Sequence, residues 1–166
     1  MRTGTSRAVL LCALAGGAAQ AACEAPERHQ FDFWLGAWRV DNERGLAGHN
    51  RIEAIEGGCA LLEHWRSASG GSGTSLNAYD PASRQWHQTW VDRDGTVLRL
   101  AGGWHGKAMV LEGSLPDAAA GAPVAQRITW TPGADGSVRQ HWQARDGAGW
   151  KTVFDGTYRR DGAAAR

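Results

Sequence analysis

From Gly36 onward, apolar and polar residues alternate in short segments, each stopped by Gly, Asp, Asn or Pro. A period of two marks a β-strand with one face turned to a core. The pattern predicts ten strands, at roughly 37–44, 48–56, 59–68, 74–79, 85–92, 96–101, 106–113, 125–131, 137–144 and 150–159. Between them stand turn signals such as Gly57-Gly58, Gly70-Gly71-Ser72-Gly73, Asp80-Pro81, Asp94-Gly95, Asp135-Gly136 and Asp146-Gly147. Helical spacing is not sustained anywhere after residue 36, so the one expected helix is a short piece over 27–35. The Ala-rich stretch 117–122 reads as a loop and 160–166 as a frayed tail. Consecutive short strands in one domain suggest an all-β fold, a single antiparallel up-and-down barrel whose closure removes exposed strand edges.

The N-terminus changes what counts as the domain. Arg2 and Arg7 precede an apolar run over 8–14, and Ala19-Gln20-Ala21 follows as a small-residue cleavage site. These features predict a signal peptide over 1–21, too short in its apolar part for a membrane span. The expected products are a barrel domain over 22–159, a periplasmic or secreted location and no transmembrane segment in the mature chain. Loss of Arg2 and Arg7 from 18 basic residues leaves 16 against 17 acidic ones, a net charge of −1. That balance gives no support to a nucleic-acid partner, which calls for clustered Lys and Arg. Of three cysteines, Cys12 lies in the signal, leaving Cys23 and Cys59 in an oxidising compartment. A bridge between them is the first reading. Two free thiols or acylation at Cys23 are the alternatives, although Gln20-Ala21-Ala22-Cys23 lacks the usual Leu three residues earlier.

The string Phe31-Asp32-Phe33-Trp34-Leu35-Gly36-Ala37-Trp38 resembles the opening of lipocalins and related calycins, in which the Trp of Gly-x-Trp closes the bottom of the barrel. Together with Gly58-Cys59, Glu63-x-Trp65, Ser75-x-Asn77-x-Tyr79-Asp80, Trp86-x-Gln88-x-Trp90-x-Asp92 and Phe154-Asp155-Gly156-x-Tyr158, it also resembles a family of exported bacterial proteins of unknown function. The resemblance implies a lipocalin-like fold and carries no activity.

Alternation assigns the heavier face of each strand to the interior: Leu61, Glu63 and Trp65; Ser75, Asn77 and Tyr79; Trp86, Gln88 and Trp90; Val138, Gln140 and Trp142. A polar residue thus recurs among aromatics. Burying it without a partner costs roughly 1–3 kcal/mol, more when charged, so Glu63, Asn77, Gln88 and Gln140 need water, one another, a cation or a ligand. The expected role is binding of a small, partly apolar or aromatic molecule by Trp65, Tyr79, Trp86, Trp90 and Trp142, oriented by the polar belt. A packed core with a closed polar network is the bland alternative, and Arg127, if inward, would neutralise Glu63 within it. A third possibility is an enzyme in which a desolvated Glu63 acts as acid or base. Scattered tryptophan also admits a flat sugar-stacking surface, which fails if the indoles face inward.

Nucleophile elbow, phosphate loop, dinucleotide fingerprint and His-Glu-x-x-His are absent from the sequence. His64, His87 and His141 alternate against the aromatic faces, which turns them outward and gives haem or a metal little support. No cofactor is expected.

Overall fold

Ten strands form where alternation and turn residues predict them. The computed structural model describes residues 23–117 and 121–162. The expected signal over 1–21, residues 118–120 of the Ala-rich loop and the last four residues of the expected tail lie outside the described residues. The strands are β1 (Gly36–Asn42), β2 (Gly45–Ile55), β3 (Ala60–Ser67), β4 (Ser72–Asp80), β5 (Gln85–Asp92), β6 (Val97–His105), β7 (Ala108–Leu115), β8 (Val124–Pro132), β9 (Val138–Asp146) and β10 (Gly149–Arg160). Each pairs antiparallel with its neighbour in sequence, and β1 pairs with β10 to close the barrel.

Closure is uneven. β1 meets β10 only from Trp38 opposite Arg160 to Asp41 opposite Thr157. The earlier half of β10 pairs with β9 alone, and its register slips between Thr152 and Phe154. A bulge of this kind bends its strand and re-aims side chains, and here it leaves Val153 exposed beside the inward ring of Phe154.

A barrel of eight strands is just filled by its own side chains, and ten strands enclose more. At one end the surplus is filled by residues 23–35. The expected helix over 27–35 is instead two 3-10 turns, Pro26–His29 and Asp32–Trp34, neither with a side-chain cap. So short and uncapped a segment cannot sustain an α-helix alone, and 3-10 winding eclipses positions three apart. Phe31 and Trp34 accordingly stack at 4.9 Å. Phe31 also meets Trp86 and Trp130 edge-on at 5.5 and 5.1 Å, and all four rings are buried. Such pairs add about 0.5–1.5 kcal/mol each beyond their burial. Against this, the indole N–H groups of Trp34 and Trp130 are buried without acceptors.

Trp38 lies in the same end, fully buried, donating from Nε1 to the Trp34 carbonyl at 2.8 Å. The guanidinium of Arg160 stacks 3.9 Å from its ring and donates to the Leu35 carbonyl. Gly36 has φ +124°, and a Cβ there would overlap that guanidinium, so only glycine serves. Arg160, expected in the frayed tail, is therefore the last residue of β10 because its contacts with Trp38 and Leu35 hold it. A second difference is the β6–β7 turn. The sixth strand is expected to end at residue 101, yet Gly102 and Gly103 remain paired within β6, which runs on to His105.

Cys23 and Cys59 stand as a disulfide pair with Cα atoms 4.9 Å apart. With Arg28 donating to the Tyr79 carbonyl and Trp86 to the Glu27 carbonyl, they fasten the N-terminal segment over the barrel end. Non-reducing peptide mapping of exported protein is expected to recover the linked pair. Closing a loop of this length is worth roughly 4 kcal/mol by chain entropy, so Cys59→Ser should lower the Tm by several degrees.

Candidate functional site

Above the aromatic plug the inward side chains turn polar. Glu63 on β3 is buried and accepts from Asn50 Nδ2 of β2 at 2.7 Å and from Ser75 Oγ of β4 at 2.5 Å. These partners are fixed by register, since β3 lies between β2 and β4 and Ser75 is directly opposite Glu63. Asn77 donates to Ser75 Oγ at 2.8 Å and accepts from Gln88 Nε2 of β5 at 2.7 Å. On the other side Asn50 Nδ2 reaches the Tyr158 hydroxyl of β10 at 3.3 Å, and that hydroxyl donates to Gln140 of β9. The belt runs from β5 round to β9 through one carboxyl.

Burial raises the Glu63 carboxyl to about 7, against the opposing pull of its bonds from Ser75 and Asn50. The Tyr158 hydroxyl is raised well above its ordinary value, first by burial and then by the Glu63 charge. Among the described residues no Lys or Arg is buried. Arg127 does not neutralise the belt. It is on the outer face of β8, bound to Glu112 and stacked 4.2 Å from the Trp150 ring, because its neighbours Gln126 and Ile128 take the inward positions.

Next to the belt is a cavity of about 240 Å³. Glu63, Gln88, Gln140 and Tyr158 form its polar wall, and Trp65, Trp90, Leu98, Ile128, Trp142 and Phe154 its apolar one. Trp65 and Phe154 meet edge-on at 6.2 Å, and Trp142 is fixed by donating to Gln126 Oε1 at 2.7 Å. Trp90 rests on Gly73 of the neighbouring strand, where a Cβ would overlap its ring. Trp65, Trp90, Leu98 and Trp142 also line a depression among the β3–β4 and β5–β6 loops, so the cavity faces the end remote from residues 23–35. Val153 and Phe154 in turn border an outer groove along the β1–β10 seam.

Of the residues expected to bind, the structure brings Glu63, Trp65, Gln88, Trp90, Gln140 and Trp142 around this cavity. Asn77 stands behind Gln88, holding it from the side away from the space. Trp86 and Tyr79 belong to the closed end, their rings 6.3 Å apart, and Trp86 is packed on Phe31. Asn50, Gln126, Phe154 and Tyr158 join the site without having been singled out for it. The parity of Asn50 with Ile52, and of Gln126 with Ile128 and Trp130, would have placed two of them inward. His64, His87 and His141 face outward, His87 against Ser83 and His141 against Thr152. No family model matches the chain, and no curated protein matches it either.

Two outcomes follow from the belt. Glu63 holds its proton more tightly folded than unfolded, so its contribution to stability is present below about 4.5 and lost as pH rises through about 7. The loss is on the order of 3 kcal/mol. Melts between pH 5 and 8 are expected to show it, and Glu63→Gln to flatten it. Separately, Gln88→Leu strands the Asn77 carbonyl oxygen and should cost roughly 1–3 kcal/mol in urea melts.

Proposed function

We propose that this protein is an exported, lipocalin-like barrel that holds a small, partly apolar or aromatic molecule between Trp65, Trp90 and Trp142, oriented by Glu63, Gln88 and Gln140. The observation that carries the reading is the pairing in one cavity of a wall of aromatic rings with a wall of buried hydrogen-bonding groups, the usual make-up of a small-molecule site. The cavity's volume equals the liquid share of about eight waters, which suits a ligand on the order of ten non-hydrogen atoms. A Cys23–Cys59 pair suits an oxidising compartment and so supports export. No helix among the described residues is long and apolar enough to cross a membrane.

The enzyme alternative draws on Glu63, whose carboxyl near 7 has the range of a general base. Its nearest hydroxyl, Ser75, is fully buried and does not line the cavity, and the Tyr158 hydroxyl that does line it is held in its neutral form by burial. A structural or protein-interaction role would call for outward aromatic patches. The exposed large apolar side chains Leu46, Leu76, Val91, Trp104 and Val153 are instead dispersed over five strands.

Protein made by the export route is expected to carry a small molecule visible by native mass spectrometry, or to bind aromatic compounds of this size with a change in tryptophan emission. Trp90→Leu should weaken that binding about tenfold while leaving a cooperative melt. A clean apo mass together with a library of such compounds that never alters emission or heat of mixing would overturn the reading.

A further inference from the structure

Glu63 is a buried carboxyl with few partners. Its two oxygens each accept one bond, whereas a carboxylate accepts about four. The side chains around it are Asn50 from β2, Ser75 and Asn77 from β4, Gln88 from β5, Gln140 from β9 and Tyr158 from β10. Tyr158 is the one further titratable group among them, and burial keeps it neutral across the ordinary pH range. Among the described residues no lysine, arginine or histidine pairs with Glu63. On the outer face, by contrast, Arg39 pairs with Asp41, Arg51 with Glu53 and Arg139 with Asp155.

Acceptors are in surplus here. Asn50 gives its amide protons to Glu63 and Tyr158, and its own carbonyl oxygen is buried without a donor. Of these two acceptors Glu63 lines the cavity and Asn50 does not, so a ligand that satisfies Glu63 must bring protons, and one that also brings positive charge relieves the buried carboxylate. Opposite stand the rings of Trp65, Trp90, Trp142 and Phe154, whose negative faces attract a desolvated cation. A carboxylate ligand would meet Glu63 as a like charge, and a hydrocarbon would leave it unrelieved.

We infer that the cavity selects a small organic ammonium ion, its N–H groups donating to Glu63 and its apolar body lying against Trp65, Trp90, Trp142 and Phe154. The inference rests on the proposed small-molecule role and specifies its ligand class. Binding takes the ammonium form of the ligand and the carboxylate form of Glu63. Below pH 7 it therefore expels one proton from the Glu63 carboxyl to solvent.

The test is calorimetric titration with three probes of nearly equal size: 2-phenylethylammonium, 2-phenylethanol and phenylacetate. The ammonium is expected to bind at least about tenfold more tightly than the alcohol at pH 8, with phenylacetate weakest. Its affinity should fall about tenfold from pH 8 to pH 6 as Glu63 takes up a proton, with proton release seen as a dependence on buffer ionisation heat. The alcohol should bind almost independently of pH. Glu63→Gln should erase the ammonium preference and flatten its pH profile while retaining the alcohol. The wild-type pH profile carries the same information should that variant fail to fold. If the alcohol or phenylacetate binds as well as the ammonium at pH 8, the ligand class is overturned and the binding role stands. If none of the three binds at any pH, the ammonium reading is overturned, and the binding role falls with it when the native mass is also clean and the compound library silent.

Discussion

A closed sheet of ten strands encloses more space than its own inward side chains fill, and everything else in this molecule answers that surplus. At one end the chain folds back on itself, bringing Phe31 and Trp34 into the lumen against Trp86 and Trp130. At the other end no such segment intervenes among the described residues, and the tryptophans line space rather than one another. The belt around Glu63 is the boundary between the two regimes. It is held by register from below and is open to the cavity from above.

That boundary explains why so costly a group is tolerated. A lone carboxyl in an apolar core would be expelled or permanently protonated, but Asn50 and Ser75 offset part of its desolvation. Neither partner carries charge, so the carboxyl remains poised between its two forms. A salt bridge in the same position would have made the belt inert. The stability sacrificed at this one position leaves a carboxyl that can change its charge near neutral pH.

Strand positions were legible because alternation and turn chemistry are local. The inward faces of β3, β4, β5 and β9 follow from the same arithmetic, and so does the company kept by Glu63, Gln88 and Trp142. Height within the barrel was not legible. Trp86 and Trp90 share a face of β5, yet one is core and the other cavity wall, because strand tilt and the N-terminal plug decide depth and neither is written in β5 itself. Asn50 escaped notice because its strand reads Gly48-His49-Asn50-Arg51, with too few apolar side chains there to declare a face. Arg127 could be given either face in isolation. The flanking Gln126, Ile128 and Trp130 turn it outward, a context that counts only once the strand is read whole. The N-terminal helix failed for a related reason, since its apolar spacing reflects insertion into a lumen and not a helix lying on a surface.

The seam between β1 and β10 bears on how the barrel comes to exist. Every other pairing joins strands adjacent in sequence, so hairpins can form in turn as the chain emerges. The seam alone unites the two ends of the fold, through four residue pairs between positions some 120 residues apart, from Trp38 with Arg160 to Asp41 with Thr157. Until that contact forms, nine hairpins make an open curl with two bare edges and an unsealed interior. The entropy of bringing such distant residues together is the largest loop-closure cost among the barrel's strand pairings. Arg160, stacked on Trp38 almost at the end of the chain, is then the latch that separates an aggregation-prone sheet from a sealed container.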